Sequence, residues 1–578
     1  MIRIRQQFIR SLISIPAVNF ELNSLRSIAT IQYNNKDMST TAPTTTDGIT
    51  NSISNMSVRS SQHLDIHHPR PSDYITIKDL FTLISKDIDS VINKQYTIQG
   101  WIRYPRDQKH TLFLTISDGT STNNIQAVLV RTNSAGESQF DDVAKHSIIG
   151  ASVSVTGIIV RSEGAGQLVD LKAISSYIIC PIPKDNKNNS MYPFAKAKQT
   201  LDSIRPIQHL RSRVSIFGAI QRIRSTCTHS TYQYFGGQRG MTYVDIPILT
   251  TSECEGGCQP LQVTSLIHSK TKSTIPTTQI KVKDEVTGKS SNQRTDIIDF
   301  SKDFFDKPVY LTVSNQLHLE CFALSLTNVY TMTIASRGEA SATSKHLSTF
   351  NMIEWENCFT TLDDNIDIAE KYIQYTMQQV LQHNTEELLH LAGDARMPAA
   401  KNIISDLQSW SSQPFIRTTH QATVETMLEH HNTGKHTFEN VPSIHDDLAT
   451  EHEKYIVEVL YPNRIVVVKY YPAAVKAFYM PLIDDGIHAD CYDIIAPRAG
   501  EITGASQRIW RTDELINKMV QYNIDPKSLD WYVDLRRLGC VPHGGGGLGF
   551  DRLVMLVTGA ENIKDCVTFV RTVHDCEY

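Results

Sequence analysis

His543-Gly544-Gly545-Gly546-Gly547-Leu548-Gly549-Phe550-Asp551-Arg552-Leu553 runs from four consecutive glycines into an apolar segment that closes before Gly559. Glycine has no Cβ, so such a run permits close approach of a ligand or a second backbone. The segment after it reads as a helix, and an arginine fixed near its start is a planar cation suited to a phosphate oxyanion. Most glycine runs are flexible loops, so the neighbours of this one decide its meaning.

The chain around it has 578 residues, more than one ordinary domain, and two or three folded units are expected. A formal net charge of −5 excludes a uniformly basic nucleic-acid coat but leaves room for a local basic patch. Ten scattered cysteines without short even spacing read as reduced thiols, and no disulfide is expected. No window approaches about eighteen uncharged apolar residues, so no membrane partner is expected.

Residues 1–33 carry Arg3, Arg5, Arg10 and Arg26 against a single acid, Glu21, with Ile2, Ile4, Phe8, Ile9, Leu12 and Ile13 interspersed. This is the pattern of a mitochondrial transit peptide, which predicts a matrix location; the alternative is the tail of a cytoplasmic protein. Residues 34–92 read as a low-complexity linker and domain lead-in, because the Ser-, Thr- and Asn-rich part up to about Ser61 buries too little apolar surface to offset folding entropy. Over 93–182, β-rich runs at Tyr96–Trp101, Leu112–Ile116, Ile125–Leu129, Ser152–Val160 and Leu168–Ile174 alternate with turn signals. They predict an OB-fold barrel, with a β-sandwich as the alternative on periodicity alone. A hinge at 183–209 leads to an α+β domain, 210–578, in which long helical stretches mix with buried strands. A helix is predicted from about Val214, with Phe217, Ile220, Ile223, Tyr232 and Phe235 near one face and a left-handed stop at Gly236-Gly237. The polar stretch 269–295 reads as an inserted mobile loop.

Gly547-Leu548-Gly549-Phe550-Asp551-Arg552-Leu553 resembles motif 3 of the class II aminoacyl-tRNA synthetases. Trp531-Tyr532-Val533-Asp534-Leu535-Arg536-Arg537, Val541-Pro542-His543 and Asn562-Ile563-Lys564-Asp565 are similar to the asparaginyl branch of that family. The resemblance implies an OB-fold barrel followed by a catalytic domain with a mainly antiparallel sheet flanked by helices, and Arg552 on the γ-phosphate of ATP. Ser336-Arg337-Gly338-Glu339, Lys345-His346-Leu347-Ser348-Thr349-Phe350 and Ile353-Glu354-Trp355-Glu356 resemble motif 2. That implies Arg337 on the α-phosphate, Glu339 at the adenine amino group, Phe350 stacked on adenine, and His346 among the ATP-binding residues. An Arg-x-Glu pair alone reads as a surface ion pair. Arg337 and Arg552 are the catalytic candidates, because adenylation uses no side-chain nucleophile and depends on positioning and charge neutralisation. Tyr243-Val244-Asp245-Ile246-Pro247 looks like the end of motif 1, which implies a homodimer.

Ser252-Glu253-Cys254-Glu255-Gly256 is similar to the segment that implies Glu255 at the substrate amino group. Asp299–Phe305 and Tyr310–Leu317 resemble asparaginyl enzymes, with Gln316 near the amino acid. Gly500–Arg508 resembles the stretch supplying a magnesium-binding acid, Glu501, and a side-chain selector, Arg508; Asp493 is a second candidate for Mg2+. Aspartyl enzymes place a lysine three residues after the position of Gln316, where this chain has Leu319, which favours asparagine. Gly100-Trp101-Ile102-Arg103, Arg106-Asp107, Leu112-Phe113-Leu114 and Ile125-Gln126-Ala127-Val128 resemble the anticodon-binding OB domain of the group. By that resemblance Phe113 stacks on the central uridine, Gln126 reads it and Arg106 contacts the anticodon. Without the resemblance, Phe113 reads equally as an inward core residue.

The expected activity is ligation of asparagine to asparagine tRNA with ATP, without DNA as a partner; the alternatives are the same fold acting on aspartate and a non-catalytic paralogue that binds RNA. Motif 2 is worn: Ser336, Ala340, Lys345 and Thr349 replace the usual Phe, Asn, Arg and Glu, Pro481 stands where a basic residue is common, and Asp551 replaces a usual Glu. Cys254-x3-Cys258 has no second ligand pair at finger spacing, and His430, His431 and His436 read as solvated loop, so neither is a metal candidate.

Overall fold

The computed structural model describes residues 71–131, 137–164, 166–195, 199–251, 260–267, 275–283, 290–341 and 343–578. The transit-peptide segment, Glu255, Cys254 and Cys258 lie outside these residues.

Helix α1 (Ile77–Lys86) is capped by Thr76, whose hydroxyl accepts from Asp79 N. Strands β1 (Gln95–Gln108), β2 (Thr111–Ser117) and β3 (Ile125–Val130), helix α2 (Glu137–His146), and strands β4 (Ser152–Arg161) and β5 (Val169–Cys180) follow. The strands close into a barrel in the order β1-β2-β3-β5-β4. Closure removes the free edges that a sandwich would leave, and the predicted OB-type barrel is the one observed. Ile77, Leu80 and Ile84 of α1 join Ile98, Leu112, Leu114 and Val155 in one core. The barrel therefore draws residues before 93 into its core, where the sequence suggests only a lead-in.

The second region begins with α3 (Ser215–Tyr232), whose buried Ile216, Ala219, Ile220, Ile223 and Cys227 recur at helical spacing along one stripe. The predicted stop at Gly236-Gly237 is not observed. The chain continues through a π-helical turn, Gln233–Gln238, and its left-handed glycine is Gly240. The reason is packing: Phe235 lies 4.9 Å from Tyr372 and 5.8 Å from Trp355, which carries the helical path past the glycines. A Cβ at Gly236 would sit 2.9 Å from the Tyr330 hydroxyl, so glycine provides space there rather than a turn. Tyr232 is exposed instead of joining that face.

Further on come β6 (Thr242–Tyr243), β7 (Leu249–Thr250), β8 (Gln262–Val263), β9 (Thr277–Lys283), β10 (Ser290–Ile298) and β11 (Val309–Leu311). The stretch read as a mobile loop contains an antiparallel ribbon, with Thr277 opposite Ile298 and Lys283 opposite Ser290. A two-stranded ribbon needs no apolar face, so its polar sequence hides the strand period.

Helix α4 (Gln316–Leu326), β12 (Asn328–Ser336) and β13 (Thr349–Cys358) lead to α5 (Leu362–His383), which starts in a Thr361/Asp364 capping box. Then follow α6 (Thr385–Gly393), α7 (Ile403–Ser412), β14 (Ile416–Thr419), α8 (His420–Asn432), α9 (Thr450–Tyr455), β15 (Val466–Lys469), β16 (Cys491–Ala496) and β17 (Gly500–Gln507). The last elements are α10 (Thr512–Gln521), α11 (Asp530–Arg537), β18 (His543–Gly549) and α12 (Phe550–Thr558), which ends at left-handed Gly559. The sheet order is β14-β15-β16-β17-β18-β13-β12-β6, antiparallel except for the parallel pairs β14/β15 and β6/β12. Ile353, Trp355, Tyr492, Ile494 and Leu548 on one face pack against α3, α5, α7 and α12.

The glycine run is therefore the central strand β18, not a loop. A Cβ at Gly545 would lie 1.9 Å from Glu356 Oε2, and one at Gly546 would lie 2.6 Å from Ala505 Cβ and 2.8 Å from Trp355. The glycines make room for side chains of the neighbouring strands to lie over β18.

Two polar joints connect the barrel to α3 and α6: Arg222 Nη1 donates to Gly119 O at 2.9 Å, and Asn123 Nδ2 donates to Glu386 Oε1 at 3.0 Å. Arg224, two residues on, donates to the Asp551 carboxylate of α12. Among the described residues no helix is long and apolar enough to cross a membrane, and the cysteines are free thiols.

Gly546→Ala is expected to destabilise the protein by about 1–3 kcal/mol through overpacking. Gly237→Ala, where a Cβ meets nothing within 4 Å, is the control, expected within about 0.5 kcal/mol of wild type. Urea denaturation of both variants checks the contrast.

Candidate active site

Alternate residues of a strand face opposite ways, so while Ile353 and Trp355 of β13 face the helices, Phe350, Met352 and Glu354 face the other side. There they border a cavity of about 530 Å3. Of the residues singled out from sequence, it brings together Arg337, Glu339, His346, Phe350, Arg552, Asp493, Glu501, Gln316 and Arg508.

At one end the Arg337 guanidinium lies 5.5 Å from the Phe350 ring centre, a cation over an aromatic face. Arg552, in the first turn of α12, donates to the backbone carbonyl of Glu501. Asp551 beside it is turned inward, where it pairs with Arg224 and accepts from Asn351 N at 2.9 Å. That residue, a departure from the usual Glu, ties α12 to α3 and β13. His346 Nδ1 contacts the hydroxyls of Ser341 and Thr343 at 2.9 and 2.8 Å. Burial, reinforced by the charge of Arg552, holds His346 below its ordinary pKa.

In the middle, the Asp493 and Glu501 carboxylates converge over Gly504, where a Cβ would lie 3.3 and 3.4 Å from their oxygens. Burial, with Glu501 and Asp447 adding repulsion, lifts Asp493 to about 7 against the pull of Lys476. Lys476 Nζ donates to Asp493 at 2.9 Å, lies 3.4 Å from Asp447 and sits 3.8 Å from the Tyr471 ring centre. An all-oxygen donor set with surplus negative charge fits a hard divalent cation such as Mg2+.

At the far end, Arg508 faces Glu356 across both carboxylate oxygens, at 3.3 and 3.2 Å. Gln316, at the start of α4, donates to Glu356 Oε2 at 2.7 Å and to Glu320 Oε1 at 3.2 Å. Glu320 in turn accepts from Arg536 at 2.6 Å and contacts His543 Nε2 at 3.1 Å. All five charged side chains are almost fully buried. Burial would favour neutral Glu320, but Arg536, His543 and Arg508 together hold its carboxyl well below the ordinary range. Glu356 is pushed up by burial and by Glu320, with Arg508 opposing. Burial disfavours protonated His543, yet its contacts with Cys540 and Glu320 outweigh that and raise it to about 10. Glu320, Glu356 and His543 are the only three His, Cys, Asp or Glu side chains among the described residues whose ligand atoms lie close enough to share one ion. With two arginines already supplying positive charge, a cation would be repelled there.

Leu319 is not at the cavity. It packs with Val244, Ile246 and Val329, so the contrast with lysine at that position does not act on a substrate directly. One residue on, Glu320 takes the helix face of Gln316. Of the histidines read as solvated loop, His430 and His431 lie on α8 and are half-buried, with His430 Nδ1 contacting the Tyr455 hydroxyl at 2.8 Å, whereas His436 is exposed, its ring 4.4 Å from that of Tyr455.

On the barrel, Leu112 and Leu114 point inward and Phe113 between them faces out, with Arg106 4.4 Å above its ring. Gln126 Nε2 donates to Asp170 at 3.3 Å.

The family described as tRNA synthetases class II (D, K and N) matches residues 206–573, and an OB-fold nucleic acid binding domain matches residues 96–173. The chain is 37% identical over 489 residues to the asparagine–tRNA ligase of Nostoc sp., covering 84% of this chain and 97% of that relative. The chain belongs to the class II tRNA synthetases of the D, K and N group. Another relative of this synthetase is the asparagine–tRNA ligase, chloroplastic/mitochondrial, of Arabidopsis thaliana, 37% identical over 85% of this chain and 82% of its own. Asparaginyl-tRNA synthetase from Pyrococcus horikoshii, in complex with asparaginyl-adenylate, has a TM-score of 0.67 at 26% identity, covering 84% of this chain and 97% of that one. An aspartyl synthetase from Entamoeba histolytica shares the fold, with a TM-score of 0.64 at 19% identity, so fold alone does not separate the two amino acids.

Sequence reading of this synthetase missed Glu320, Glu356, Arg536 and Lys476 as partners. A signal was present: Glu354 and Glu356 alternate with apolar residues in a strand at the centre of a sheet, and buried acids demand cations.

Because the His543 pKa is raised, its contribution to stability is complete below about 6.5 and is lost as pH rises to about 10. Unfolding free energies across that window should fall more steeply in wild type than in His543→Asn, by up to about 1.4 kcal/mol per pH unit. Parallel slopes in urea titrations would show that the ring is neutral.

Proposed function

We propose that this protein is an asparagine–tRNA ligase, which condenses asparagine with ATP to asparaginyl-adenylate and pyrophosphate and then transfers the asparaginyl group to the terminal ribose of asparagine tRNA. The observation that carries this is the convergence in one cavity of Arg337, Glu339, Phe350 and Arg552 with Gln316 and a carboxylate-paired Arg508.

No side-chain nucleophile is required. A carboxylate oxygen of the amino acid attacks the α-phosphorus, and the bond to pyrophosphate breaks. The protein holds two anions together and offsets their charge. Arg337 and Arg552 supply the cations, Phe350 an apolar platform for adenine, Glu339 an acceptor for its amino group, and His346 a further ATP contact. Asp493 and Glu501 would hold Mg2+, which supplies charge neutralisation to the phosphates when bound. Glu255 is assigned to the substrate amino group by family resemblance alone.

Choice of amino acid follows from the Arg508/Glu356 pair. A carboxamide both accepts and donates, so it suits a guanidinium beside a carboxylate. An aspartate side chain only accepts, and would bring a second carboxylate to Glu356. The barrel would read the anticodon with Phe113, Gln126 and Arg106, and the protein would act as a homodimer. The Arg-rich residues 1–33, together with a relative named chloroplastic/mitochondrial, support a mitochondrial location. A non-catalytic role is disfavoured by the retained Arg337, Glu339, Glu501, Arg508 and Arg552.

Amino-acid-dependent pyrophosphate exchange should proceed with asparagine and not with aspartate. Arg552→Ala should lower exchange by about a hundredfold or more and spare tRNA binding. Glu356→Gln, which removes the repelling carboxylate and leaves Arg508 only the more distant Glu320, at 3.9 Å, as an acidic partner, should shift the kcat/KM ratio toward aspartate by about tenfold or more. Exchange with aspartate by the wild type would overturn the specificity; none with either amino acid would favour the RNA-binding paralogue.

A further inference from the structure

We infer that Glu453, on α9, is a positioning residue for the phosphate end of the cavity, acting through the backbone of Glu501 and through Lys345 and Arg552. This deepens the ligase reading and rests on it. Glu453 does not line the cavity, whereas Lys345, Glu501 and Arg552 do.

Three observations converge on it. The first is a hydrogen bond: Glu453 Oε2 accepts from Glu501 N at 3.1 Å, while Arg552 donates to the carbonyl of the same residue. Glu501 is thereby gripped on both of its backbone polar groups, one by an acid and one by a cation. The second is a notch. Gly500 has φ +73°, and a Cβ there would lie 2.3 Å from Glu453 Oε2 and 3.0 Å from Lys345 Nζ. The carboxylate and the ammonium share space that only a glycine leaves open. The third is rigidity of the carrier. His452 Nδ1 accepts from Ala449 N at 3.0 Å and Nε2 donates to Asn440 O at 2.7 Å, which holds the short α9 in place.

The arrangement gives Glu453 two separable tasks. Its oxygen acts as an acceptor that orients Glu501, and its charge offsets Lys345 and Arg552, two cations facing one wall. Glutamine keeps the acceptor and removes the charge; alanine removes both.

The test compares Glu453→Gln and Glu453→Ala in the full chain, using pyrophosphate exchange and calorimetric titration with ATP. Without the opposing charge, the cations attract triphosphate more strongly, so Glu453→Gln should lower the KM and Kd for ATP about threefold or more and leave the KM for asparagine within about twofold. Glu453→Ala should lower kcat about tenfold or more without that gain in ATP affinity. Both variants behaving alike, or raising both KM values together with a lower Tm, would overturn the inference. A wild type silent in exchange, whose ATP affinity still rises on Glu453→Gln, would remove the ligase reading and keep the role of Glu453.

Discussion

The catalytic sheet depends on a central strand with almost no side chains. Since β18 carries glycine at 544–547, Glu356 can lie across it on one face and Trp355 on the other. The first crossing brings a carboxylate to Arg508, and the second seats an indole among α3 and α5. A single alanine would force either the cavity side or the core side to retreat.

On the Glu356 side what lies across that strand is charged, and the charges are arranged so that none stands alone. Arg508, Arg536 and His543 face Glu320 and Glu356 in a nearly dry interior. Pairs of this kind add little net stability, because desolvation offsets much of their attraction, but removing one member leaves a buried charge without a partner. Their value here is geometric: Arg508 is held against Glu356 by two contacts and against Ser506 by a third, so its plane is fixed before any ligand arrives.

Much of this was legible in the residues. The glycine run and Arg552 pointed to the strand and helix that wall the cavity, the β-rich runs to a barrel, and the Arg337, Phe350, Glu501 and Arg508 segments to a shared cavity. Three things were not legible, each for a physical reason. A polar ribbon such as Thr277–Lys283 with Ser290–Ile298 lacks the apolar alternation by which strands are recognised. The π-helical turn at Gln233–Gln238 is set by aromatic contacts with residues more than a hundred positions away. Leu319 stands where aspartyl enzymes resembling this chain carry a lysine, but the helix rotates it into the apolar cluster and leaves Glu320 beside the amide.

Arg222 and Arg224 sit two residues apart on α3, the first reaching a carbonyl of the barrel and the second the carboxylate under Arg552. On the barrel side Arg222 makes that bond while its Nε donates to Glu387 of α6 at 2.7 Å. The joint on the cavity side is buried and locked. Two residues apart on one turn, the pair refers the position of the barrel and the position of the helix that carries Arg552 to the same short stretch of backbone.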